Sequence, residues 1–106
     1  MPKSLSVAAL TVLHAVARGT GHGFDIIDET GLPGGTVYPA LSRLERDSLL
    51  SSAWEPVEIA RADGRPPRRY YKVTRTGVKA LNEALEKLHA LKPIRRATPA
   101  PARGRD

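Results

Sequence analysis

The sequence predicts an α+β fold in which three helices precede a two-stranded hairpin and a fourth helix closes the domain. Three observations carry this reading. Apolar residues recur at helical spacing in four segments, two short alternating segments flank a Gly/Pro-rich loop between the third and fourth of these, and the basic charge is concentrated in that loop and the strand after it. The chain has 106 residues, 41% of them hydrophobic, which suits one small core. The absence of cysteine excludes a disulfide framework, a thiolate metal site and cysteine nucleophile chemistry. Three scattered histidines, His14, His22 and His89, have no histidine or acidic partner at ligand spacing, so neither a metal site nor a cofactor is expected. The first residues hold no signal-like apolar run, and no segment approaches the about 20 apolar residues of a membrane span. The expectation is a soluble, cytoplasmic protein without a membrane partner.

The first helix rests on Leu5, Ala8, Ala9, Val12, Leu13 and Val16, which form one stripe. Gly19, Gly21 and Gly23 interrupt it. A short second helix from about His22 to Glu29 has Phe24, Ile26 and Ile27 as its expected core residues, and Gly31 ends it. After the turn 31–35, the third helix is expected over 36–47, with Thr36 capping its first turn and Pro39 still inside that turn, where its missing amide hydrogen costs no bond. Val37, Leu41 and Leu44 fall at i, i+4 and i+7 and point inward, which leaves Tyr38, Ser42, Arg43 and Arg46 on the outer face.

Residues 51–59 alternate and read as a strand, Ala62 to Pro67 as a turn, and Arg69 to Thr74 as the return strand. Trp54 is expected to be buried in the first of these strands. Thr74 caps the fourth helix, along which Val78, Leu81, Leu85 and Leu88 recur at steps of 3, 4 and 3, with Leu91 beyond them. From Lys92 the chain is proline-rich and basic with almost no large apolar side chain, so 1–91 is read as the folded domain and 92–106 as a basic disordered tail.

The charge is local. Seven basic residues and Asp63 fall in 61–79, whereas residues 1–60 carry four basic and seven acidic groups. Such a block beside an acidic body is the footprint of a phosphate-backbone contact, or else of a solvated loop. The element order, with a turn before the third helix and a basic hairpin after it, is that of a winged helix-turn-helix, whose third helix enters the major groove of double-stranded DNA. Thr36, Tyr38, Ser42 and Arg43 are then expected in or beside the major groove, with sequence choice at Ser42 and Arg43 and with Pro39 and Arg46 also on the DNA side, and phosphate contacts are expected from Arg65, Arg68 and Arg69. Tyr38 has a second reading as a half-buried core aromatic, and Arg43 and Arg46 a second reading as partners of Glu45 or Asp47. His14 and His22 are expected to cap or pack. No phosphate-cradling loop, no histidine beside a nucleophile and no isolated carboxylate pair is present, so an enzyme is not expected. The rival class is a protein-interaction module on the same scaffold.

Three motifs in order resemble the PadR family of bacterial transcriptional regulators. Gly35-Thr36-Val37-Tyr38-Pro39-Ala40-Leu41-Ser42-Arg43-Leu44-Glu45 is similar to its recognition helix, Gly64-Arg65-Pro66-Pro67-Arg68-Arg69-Tyr70-Tyr71-Lys72-Val73-Thr74 with Gly77 to its wing, and Gly19-Thr20-Gly21-His22-Gly23-Phe24 to its Gly-x-x-His-Gly-Tyr segment. The resemblance covers about Leu5 to Leu91 and implies a homodimeric, repressor-like binder of an inverted-repeat operator, dimerised through its first and last helices. Leu5, Val12, Leu81, Leu85, Leu88 and Leu91 are the interface residues expected there, and Leu81 and Leu85 have a second reading as residues that close the chain's own core. It identifies no small-molecule effector. Phe24 stands where the family commonly has tyrosine, the wing carries an extra proline, and Ser48 replaces a glycine at a position that favours a left-handed backbone.

Overall fold

The computed structural model describes residues 5–91, and the expected tail lies outside them. In chain order the elements are α1 (Val7–Ala17), α2 (Gly23–Thr30), α3 (Gly34–Arg46), β1 (Leu50–Trp54), α4 (Val57–Ala62), β2 (Arg69–Val73) and α5 (Arg75–His89). The α+β winged-helix order is the one expected, with one helix more. Ser6 caps α1 by accepting from the Ala9 amide at 3.0 Å, so the helix starts two residues after Leu5, which packs half-buried against the core. Ala9, Val12, Leu13, Ala15 and Val16 form its buried stripe. Gly31 ends α2 in the left-handed conformation. Ile26 is buried and Ile27 half-buried, but Phe24 is exposed rather than in the core. The buried side of α2 runs through Gly23 and Ile26, and one residue past Gly23 the helix has turned by about 100°, which carries Phe24 outward.

α3 begins at Gly34 with Pro33 as its cap residue, two positions earlier than the expected cap at Thr36. The amides of Thr36 and Val37 both donate to the Pro33 carbonyl, at 2.9 and 3.0 Å. Pro39 therefore lies beyond the first turn, and its missing hydrogen leaves the Gly35 carbonyl without a helical donor. The helix continues because Val37, Leu41 and Leu44 are completely buried against α1 and α2.

β1 and β2 are antiparallel, with Leu50 opposite Val73 and Trp54 opposite Arg69. His22 bridges to Tyr70, and the Tyr71 amide donates to the Gly21 carbonyl at 2.7 Å, so the glycine-rich link before α2 forms a third edge of the wing. The strand expected to run to Ile59 stops at Trp54. Pro56 cannot continue a ladder, and it instead opens the short helix α4, which buries Ala60. Trp54 is 64% exposed, contrary to its expected burial, because only the first residue of β1, Leu50, reaches the core.

Thr74 caps α5 as expected, accepting from the Gly77 amide at 2.9 Å. Leu81 is buried in the chain's own core, the second of its two readings, and Val12 is buried there too, so neither is open to a partner. α1 and α5 pack on one another within a single chain. Further along α5 exposure climbs, from 38% at Leu85 to 53% at Leu88, and it reaches 70% at Leu91, just past the helix end.

Gly77 sits directly on the Leu49 carbonyl, and a Cβ there would collide with that oxygen and lie 2.8 Å from Val73 Cγ2. Gly35, by contrast, has open space around it. Gly77→Ala is expected to destabilise the domain by about 1–3 kcal/mol, roughly 4–8 °C in Tm for each kcal/mol. Gly35→Ala should stabilise by about 0.5–1 kcal/mol, since only the helix preference changes. Thermal melts followed by circular dichroism check both signs.

Candidate nucleic-acid interface

The outward face of α3 is built by elimination. With Val37, Leu41 and Leu44 turned in, Tyr38, Pro39, Ser42, Arg43 and Arg46 are exposed, and Thr36 is half-buried at the edge. The Tyr38 ring lies across Gly23 of α2, where a Cβ would come within 2.6 Å of its hydroxyl oxygen. Its two readings therefore meet, with one flank packed and the other open. The Ser42 and Arg43 side chains make no hydrogen bond or ion pair among the described residues, and Arg46 reaches Asp47 only at 4.0 Å. Exposed arginines in such a state are available to phosphates or base edges.

The wing arginines divide into three cases. Arg65, expected on phosphates, instead holds the wing together. Its Nη1 and Nη2 donate to the two Glu55 carboxylate oxygens at 2.6 and 2.9 Å, and Nη2 also reaches Asp63 at 3.2 Å. The side chain is only 22% exposed. Glu55 is buried and also accepts from the Arg68 backbone amide at 3.1 Å. The Arg65 hydrogen bonds, against the opposing effect of burial, draw the Glu55 carboxyl down from the usual 4.5 to about 2, and the same pair raises Arg65. The Arg68 guanidinium has no partner among the described residues. Arg69 donates from Nε to Ser52 Oγ at 2.9 Å, faces Glu45 of α3 at 3.4 Å, and lies 5.5 Å above the Trp54 ring.

Sequence reasoning missed Glu55, Glu45 and Ser52. The exposed cations Arg61, Lys72 and Arg75 lie inside the basic block 61–79 but were not singled out as site residues. No spacing rule links residues 55 and 65, so the Glu55–Arg65 pair had no sequence signal. His22 packs as expected: it is buried, its edge meets Tyr70 at a centroid distance of 5.3 Å, and Nε2 lies 2.9 Å from Asp25. His14 is exposed on α1.

An exposed polar helix face beside a cationic wing is the geometry of a winged-helix DNA reader, and comparison with known proteins decides which one. Residues 12–83 match the transcriptional regulator PadR-like family. The chain belongs to the PadR-like family. It is 41% identical over 87 residues to the transcriptional regulator Rv3488 of Mycobacterium tuberculosis, covering 74% of this chain and 76% of that one. It also resembles the structure of a PadR-like transcription factor from Bacteroides fragilis, with 30% identity and a TM-score of 0.64 over 76% of this chain and 79% of that one. A PadR family regulator from Clostridium difficile shares the fold, with a TM-score of 0.70 at 20% identity over 79% of this chain and 88% of that one. This PadR-like protein is thus a DNA-binding transcriptional regulator. Its family is one of regulators rather than enzymes, and no helix among the described residues is long and apolar enough to cross a membrane.

The Glu55–Arg65 pair makes stability depend on pH in a defined window. A carboxyl that titrates at about 2 when folded and at 4.5 when unfolded contributes fully above 4.5, and the contribution fades as pH falls toward 2. The urea midpoint should therefore drop through that window. Glu55→Gln should lower the midpoint at neutral pH and flatten the drop, and Arg65→Lys should not substitute, because an ammonium cannot make the two-pronged contact. Curves for parent and Glu55→Gln that stay parallel across the window would remove the pair as the source.

Proposed function

We propose that this chain is a homodimeric repressor that binds an inverted-repeat operator with α3 in the major groove. Ser42 and Arg43 read base edges. Thr36, Tyr38, Pro39 and Arg46 lie beside them toward the backbone, and Arg68 and Arg69 bind phosphates, while Arg65 holds the wing that presents them. The observation that carries this reading is the division of α3 into a fully buried apolar stripe and an outer face whose Ser42 and Arg43 side chains have no partners among the described residues. Occupancy of promoter DNA by such a dimer represses transcription. Selection of bound sequences from random DNA tests the arrangement. The expected product is an inverted repeat with half-sites about one helical turn, roughly 34 Å, apart. Ser42→Ala and Arg43→Ala should change the recovered motif, and an unaltered motif with both would remove α3 from readout.

The dimer follows from the far end of α5. Leu85, Leu88 and Leu91 leave the globule progressively, and each leucine buried in a partner is worth about 1.5–3 kcal/mol. Leu5, on the N-terminal side of α1, is only partly covered by its own chain and adds to the same seam in this reading. Replacing Leu88 and Leu91 by glutamate should give a folded monomer in sedimentation with weakened operator binding. A parent protein that sediments as a monomer at micromolar concentration with full operator affinity would overturn it.

A further inference from the structure

Glu45 is an acidic residue on the recognition helix, close to the path of a polyanion. Placed there without purpose, its charge would oppose DNA. Its surroundings give it a use. The Ser52 hydroxyl donates to Glu45 Oε2 at 2.6 Å and accepts from Arg69 Nε at 2.9 Å, and Arg69 Nη2 faces both Glu45 oxygens at 3.4 Å. The cross-strand partner Trp54 lies beneath the guanidinium at 5.5 Å from its ring centroid. Arg69 is therefore held on three sides, and Nη1 is left without a partner among the described residues.

We propose that Glu45, Ser52 and Trp54 are positioning residues that hold Arg69 with its open edge toward a DNA phosphate, at the junction of α3 and the wing. The inference rests on the DNA-binding reading above and deepens it. Arg69 and Glu45 are both partly exposed, so solvent screens the pair and its direct contribution to folding is small. What it supplies is orientation. A long arginine side chain ordered only on binding loses rotamer freedom at that moment, whereas one ordered beforehand does not. The same arrangement accounts for the exposed tryptophan, whose face serves as the platform for the cation. It also ties α3 to β2, so that a phosphate contact by the wing and base contacts by the helix are made in fixed register.

The test uses the full chain and a fluorescein-labelled random-sequence duplex, since a phosphate contact carries no sequence preference, with anisotropy read over a salt series. Glu45→Gln removes a negative charge from the DNA-binding side, and simple electrostatics would have it tighten binding. The proposal requires the opposite, a loss of about three- to tenfold. Arg69→Ala should weaken binding and reduce the log–log salt slope by about 0.9. In the Arg69→Ala background the sign should change, with Glu45→Gln neutral or tightening. Far-ultraviolet circular dichroism and a thermal melt report that each variant is folded. Should Glu45→Gln fail to fold, Ser52→Ala breaks the same relay without altering charge, and it should weaken binding only when Arg69 is present. Equal or tighter binding by Glu45→Gln with Arg69 in place, or an unchanged salt slope in Arg69→Ala, would overturn the proposal while leaving DNA binding intact. A parent chain that binds no duplex would overturn the DNA-binding reading itself.

Discussion

Gly77 lets the first turn of α5 rest on the carbonyl of Leu49, and the position of the wing depends on that contact. The same carbonyl accepts from the Thr74 amide at 3.1 Å, and the Thr74 hydroxyl donates to the Ser48 carbonyl at 2.6 Å while accepting from the Gly77 amide. The end of α3, the start of β1 and the start of α5 are thereby joined at one point. Ser48 holds φ at 64°, a conformation that costs a non-glycine residue about 1–2 kcal/mol, and these bonds over-determine it. Since β1 buries little beyond Leu50, the wing has almost no core of its own. Its direction relative to the recognition helix is inherited from this junction.

Charge is the second constraint, and its count misleads. Residues 61–79 hold seven cations, yet one of them is consumed by Glu55 and a second is braced by Glu45. A buried carboxylate must keep its donors, so Arg65 is bound to architecture. The cost is one cation withdrawn from the surface. The return is a defined path for the fourteen residues that separate the two strands, where a glycine- and proline-rich loop would otherwise have many conformations.

The parts legible in the sequence were those written as apolar periodicity. The stripes of α1, α3 and α5 announced themselves because burying one helical face demands residues three and four apart, and the outer face of α3 followed by exclusion. The left-handed turn at Ser48 was legible by analogy with a glycine. α4 was not, because residues 55–59 alternate as a strand does and only Pro56 betrays the break. Pro33 as the start of α3 was hidden by the better-known capping chemistry of Thr36. Val12 was misassigned, and Leu81 left with two readings, for a different reason: an apolar position shows that a residue is covered, but not whether its own chain or another covers it. Phe24 and Trp54 erred in the converse way, since size and hydrophobicity argue for burial only where the element carries the residue to the core, and Phe24 lies on the outer face of α2 while Trp54 lies at the far end of β1.

The placement of α1 links these features. It packs on both α3 and α5, and Val12 and Leu81 are buried in the core that these helices share. In the proposed dimer the exposed leucines of α5 form the seam, so a change in the angle at which two α5 helices cross is carried by α1 to the recognition helix. Packed side chains of this density do not absorb such a shift by deforming gradually; they move as a unit or repack. Operator spacing and the geometry of the seam are then one quantity, and the braced Arg69 brings the wing into the same register. In the proposed dimer, the affinity for two half-sites rests on how rigidly that chain of contacts, from α5 through α1 and α3 to β2, is held before DNA arrives.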